Sequence, residues 1–147
     1  MKTLDGKWNY LSFVAKPAEV DRSSLLPKVK EPANLCAEWT PPSVMDFTTD
    51  DSGQVTGKAR LGPIHFSIAG SVTQPTDESL GGVELSVTVD SLVARHVTGI
   101  NQEAVYKLAG SFLPNSTHIV GNVVGVSNDL GFMPDGASGP FVLYPVE

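Results

Sequence analysis

Between Gln54 and Thr73 the chain reads QVTGKARLGPIHFSIAGSVT, alternating with period two on both sides of a Leu61-Gly62-Pro63 corner. Val55, Gly57, Ala59 and Leu61 share one face of the first run, with Thr56, Lys58 and Arg60 on the other. In the second run Ile64, Phe66, Ile68, Gly70 and Val72 oppose His65, Ser67, Ala69 and Ser71. Successive side chains of a strand point to opposite sides, so this alternation marks a sheet packed on one face and wet on the other. Glycine tolerates a tight reversal and proline cannot donate to a ladder, so the corner reads as a turn. The result is a long antiparallel hairpin around which the rest of the chain is expected to close.

Further strands are expected at Gly6–Val14, Val83–Leu92, Ala104–Leu113, Thr117–Val126 and Pro140–Val146. The short apolar runs Leu35–Trp39 and Val44–Thr49 flank Pro41-Pro42, where a central ladder must stop; they read as one bent strand or a sheet corner. Asp50-Asp51-Ser52-Gly53 and Pro114-Asn115-Ser116 are turn signals. Ala15–Ala33 breaks the rhythm with prolines and mixed charge, and reads as a long connection with one helical turn around Glu19–Leu26. Ser127–Gly139 is a second long loop, and Val93–Glu103 is irregular, holding Arg95, His96, Asn101 and Gln102. Counting the Pro41-Pro42 segment once gives eight strands, several nearly ten residues long, which span roughly 33 Å at the usual rise. Strands of that length joined by short turns predict an all-β, eight-stranded antiparallel up-and-down barrel. Mid-strand glycines at 57, 70, 110, 121 and 125 fit the sharp coiling that closure demands.

A length of 147 residues suits a single domain over the whole chain with a real core. The net charge of −6, with no basic cluster to offset it, argues against nucleic acid as a partner. No apolar run approaches the ~20 residues that cross a bilayer, so no membrane partner is expected. Cys36, the single cysteine, forbids an internal disulfide. With no signal-like stretch at the N-terminus the chain reads as cytoplasmic, or as a mature chain whose leader has been replaced by Met1.

Leu4-Asp5-Gly6-Lys7-Trp8 resembles the G-x-W opening of the first strand in lipocalins and avidins. Val44–Lys58, VMDFTTDDSGQVTGK, is similar to the avidin pattern of apolar strand, Gly turn and T-G start of the next strand. The resemblance implies a calycin-type barrel with Trp8 plugging its bottom. Avidins follow that Trp with an Asn and a Gly-Ser pair that hold the biotin ureido group. Here Asn9-Tyr10-Leu11-Ser12 stands in their place, and only Trp8 and Trp39 could supply indole rings. Those departures argue against biotin.

His65, His96 and His118 come from separate elements without metal-ligand spacing, so no metal or other cofactor is expected. No G-x-S-x-G elbow activates a serine, and Cys36, without a basic neighbour, reads as a half-buried structural thiol. Asp46 within VMDFT would gain a raised pKa inside a dry barrel, although its parity also fits an outward carboxylate. The interior is the best candidate site. Trp8, Tyr10, Phe66, Leu85, Tyr106 and Phe112 are expected to line it, with Asn122, Ser12 and the tyrosines as polar handles. Small residues at 57, 59, 70 and 110 would leave room for a guest, and Ala15–Ala33 would flap across one mouth. The expected function is binding of a mainly apolar small molecule. Alternatives are a cofactor-independent isomerase or cyclase using the same cavity, and an interaction module. Apolar Leu11, Phe13, Val142 and Tyr144, on strands adjacent at closure, are the expected contact of a homodimer.

Overall fold

The computed structural model describes residues 1–89, 104–128 and 135–147. Arg95, His96, Asn101 and Gln102 lie outside the described residues. Every regular element described is a strand: β1 (Gly6–Lys16), β2 (Glu19–Asp21), β3 (Lys28–Glu31), β4 (Asn34–Glu38), β5 (Ser43–Thr49), β6 (Gln54–Leu61), β7 (Ile64–Thr73), β8 (Gly82–Val89), β9 (Ala104–Phe112), β10 (Ile119–Asn128) and β11 (Ser138–Pro145).

The hairpin of β6 and β7 pairs from Gln54↔Ser71 to Leu61↔Ile64, and Gly62 takes a φ of 58° in the turn between them. β5 to β11 follow one another in antiparallel ladders, and β11 returns to pair with β1 from Trp8↔Pro145 to Ser12↔Phe141. β5 and β4 take successive stretches of β1: Gly6–Tyr10 faces β5, and Phe13–Lys16 faces β4. They are the two halves of one strand bent at Trp39–Pro42, and across the bend the Trp39 amide donates to the Ser12 carbonyl at 2.9 Å. Counted this way, the sheet is a closed eight-stranded antiparallel barrel in up-and-down order, consistent with a calycin-like fold. Closure removes the exposed edges that an open sheet would carry.

The alternation read from the sequence places the core. Val55, Ala59, Phe66, Ile68, Val72, Val83, Leu85, Val87, Leu108 and Phe112 are all buried, while Thr56, Lys58, His65, Ser67 and Glu84 are exposed. Beside Gly57 and Gly110 the space expected for a guest is taken by the barrel's own rings. Beside Gly70 it is closed by the Glu84 backbone, and of the four only Ala59 borders open space. A Cβ at Gly57 would sit 2.6 Å from the Phe47 ring, and one at Gly110 would sit 2.8 Å from the Phe141 ring. Close packing of this kind is how small barrels fill their centres.

The two ends differ. One is sealed by the N-terminal segment: Leu4 is fully buried, and the Trp8 indole N–H donates to its carbonyl at 2.9 Å. Thr49 Oγ1 accepts from the Leu4 amide at 2.9 Å. Lys2 exchanges two hydrogen bonds with the Gln74 side chain, and its ammonium lies 5.3 Å from the Phe112 ring centroid. At the opposite end β1 and β4 run on together, and β2 and β3 follow as an exposed hairpin. The helical turn expected at Glu19–Leu26 is therefore a strand and bend. Residues 19–26 are all exposed and pack no face against the barrel, so no buried stripe supports a helical turn there. Nor does the segment close a mouth, because Leu25 and Leu26 are 100% and 78% exposed. Leu11 pairs with Val142 across the seam; both are half-buried, as are Phe13 and Tyr144.

Candidate functional site

The open end carries a pocket, built where the bend after β4 meets the ends of most of the barrel strands. Alternation along β1 sends Tyr10 and Ser12 inward. The bend after β4 turns Trp39 over the mouth, and β5 to β7 contribute Met45, Ala59, Leu61 and Phe66. Tyr106 stands on β9, with Val87 and Leu108 beneath. Trp39 meets the Tyr106 ring edge-on at 6.1 Å and 84°, and Phe66 leans on the same ring at 6.5 Å. Gly125 seats the indole: a Cβ there would lie 3.1 Å from the Trp39 ring. The pocket's volume is about 50 Å³, a third of the roughly 150 Å³ of a cavity that takes up benzene. At the mouth it opens to solvent.

Its polar groups are the hydroxyls of Tyr10, Ser12, Thr40, Ser43 and Tyr106 and the guanidinium of Arg60. Burial pushes the Tyr10 phenol up to about 12; the Ser12 hydroxyl beside it opposes the rise and the nearby Tyr106 phenol adds to it. Burial also raises Tyr106. Both rings are therefore neutral hydrogen-bond donors at ordinary pH. Ser12 is 2% exposed, and its Oγ completes no hydrogen bond of good geometry. Among the described residues, the one charged side chain at the pocket is Arg60. It is exposed at the rim, and its Nε donates to the Gly62 carbonyl at 2.8 Å.

Of the residues expected to line a site, Tyr10, Phe66 and Tyr106 come together here. Trp8 lies in the core at the sealed end. Leu85 is buried in the packed centre, and Phe112 is buried beneath Lys2, so neither reaches this pocket. Asn122 is exposed on the outer surface, because its neighbour Val123 takes the inward position of β10. Trp39 has no alternating pattern to flag it. Its signal is a large indole directly before Thr40-Pro41-Pro42, where the strand must bend.

The other chemical candidates sit outside. Asp46 and Glu38 are exposed, as are His65 and His118, while His96 lies outside the described residues. Cys36 is exposed on β4 rather than half-buried, with its thiol 3.8 Å from Asn34 Oδ1. β4 extends past the barrel wall, so no core lies beneath it. Among the described residues no three His, Cys, Asp or Glu side chains gather to hold a metal. In comparisons with known proteins, the chain matches no family model, no curated protein and no solved structure.

Proposed function

We propose that the chain binds a small, mainly apolar molecule at the open mouth of the barrel. The observation that carries this reading is the convergence of Tyr10, Tyr106 and Ser12 in a pocket walled mainly by apolar side chains such as Trp39, Phe66, Met45, Leu61 and Val87, with Thr40, Ser43 and Arg60 also lining it. Apolar walls with a few placed polar groups are the usual lining of a small-molecule site. The filled centre moves the ligand outward: a small group enters the 50 Å³ recess, and the body rests against Trp39 at the mouth. The resemblance of the G-x-W opening to that of lipocalins and avidins supports the same use of a barrel plugged at one end. The alternative, a cofactor-independent isomerase or cyclase, draws on the same two neutral phenols, which would orient a substrate and stabilise shifting charge. In that case Tyr106→Phe lowers turnover more than affinity.

Ethylbenzene is a suitable first probe, its ethyl arm sized for the recess and its ring for the mouth. Burying ~150 Å² of apolar surface at about 25 cal/mol per Å² gives roughly 4 kcal/mol, a millimolar ligand. Titration is expected to shift the Trp39 indole N–H resonance and leave that of Trp8 in place. Ala59→Leu, which fills the pocket wall, abolishes the shift while thermal unfolding stays cooperative. A Trp39 resonance indifferent to ethylbenzene and to its polar-headed analogues alike ends the proposal.

A further inference from the structure

Ser12 is buried at 2% exposure in the core of the described residues, and its Oγ completes no hydrogen bond of good geometry, with the Tyr10 phenol its nearest polar neighbour. A buried hydroxyl left unpaired costs about 1–3 kcal/mol, and an alanine at the same inward position of β1 would avoid it. The hydroxyl also lines the mouth pocket on the same strand face as Tyr10, with the Tyr106 phenol close enough to act on Tyr10. Three hydroxyls thus mark one polar corner of an aromatic pocket.

Resting on the binding reading above, we infer that this corner receives the carbonyl oxygen of a neutral, otherwise apolar ligand such as a ketone, ester or lactone. A carbonyl oxygen offers two lone pairs and no proton, so it accepts from the Ser12 hydroxyl and from a phenol together. Ser12 then gains the partner it lacks. A hydrocarbon would leave it unpaired. A carboxylate would shed its hydration against neutral hydroxyls, because Arg60 stands at the exposed rim and is engaged with the Gly62 carbonyl. The 50 Å³ recess admits a carbonyl and its substituent but not a ring, so the head lies inside and the aromatic or aliphatic body against Trp39 and Phe66.

Acetophenone, ethylbenzene and benzoate test this, each titrated against the full chain with the Trp39 indole resonance as readout. Acetophenone is expected to bind about 10-fold tighter than ethylbenzene, the effect of roughly 1.4 kcal/mol, and benzoate weakest. Ser12→Ala should bring acetophenone to within about 2-fold of ethylbenzene, a residual of roughly 0.4 kcal/mol, without weakening ethylbenzene. Independently of any variant, the infrared carbonyl stretch of bound acetophenone should fall below its frequency in hexane. Equal binding of acetophenone and ethylbenzene, or a hexane-like stretch, overturns the carbonyl assignment while leaving the pocket standing. Binding by none of the three overturns both. Tighter binding of benzoate, lost in Arg60→Gln, replaces the inference with an anion held at the rim.

Discussion

Tyr10 shows what burial does to a single group. The unfolded chain ionises this phenol near 10.0, whereas the folded barrel holds its proton to about 12. Between those values the unfolded state has lost a proton that the native state keeps, so stability falls as pH rises through the window. Below it the contribution is constant. Unfolding free energies from urea titrations at about pH 9 and about pH 11.5 should differ by of order 2 kcal/mol more in the wild type than in Tyr10→Phe. Ser12 behaves in the opposite sense to most buried polar residues. With no partner to lose, Ser12→Ala should leave stability unchanged or raise it by up to about 1 kcal/mol in denaturant unfolding. Trp8→Phe removes the donor to the Leu4 carbonyl and leaves that acceptor buried, so a loss of roughly 1–3 kcal/mol is expected in the same assay.

At the scale of elements, the hairpin of β2 and β3 and the bent strand of β4 and β5 make a contrast. Residues 17–30 are exposed throughout, so the hairpin buries little and adds little to global stability. Replacing residues 17–30 with a short Gly-Asn turn should change Tm by no more than a few degrees, since an effect of about 1 kcal/mol moves Tm by roughly 4 °C at this size. Its Lys16–Glu31 pair, 2.7 Å apart with both side chains more than 40% exposed, contributes within the small range of surface ion pairs. The bend does more, since it carries Trp39 from an exposed strand to 8% exposure over the mouth. Gly125→Ala would press a methyl toward that indole. Near-ultraviolet circular dichroism should register the displaced ring even where Tm hardly moves.

For the whole molecule, the ladder between β1 and β11 decides everything else, because it joins the two ends of the chain and turns a sheet into a barrel. Leu143 is fully buried on β11 in that ladder, opposite Tyr10. Leu143→Ala should cost about 2–5 kcal/mol, the range for emptying a packed site, measured by guanidinium unfolding. A weakened seam should also perturb the mouth, since Tyr10 and Ser12 belong to the same strand stretch. A barrel closed by contacts this distant in sequence is expected to fold in milliseconds to seconds.

Period-two alternation was enough to determine the strands of the barrel wall, most of their inward faces and the number needed for closure, because side-chain direction in a strand is a local property. Pro41-Pro42 likewise declared the bend in its own neighbourhood. Tertiary structure alone decided which inward residues share a pocket. Tyr10, Phe66 and Tyr106 meet at one end, while Trp8 and Phe112 obey the same parity near the other. Position along the barrel axis depends on the stagger of every intervening ladder, which no single strand encodes. The same holds for the small residues. Alternation put Gly57 and Gly110 inside, but only packing filled the space beside them with Phe47 and Phe141 and left the remaining recess under Trp39.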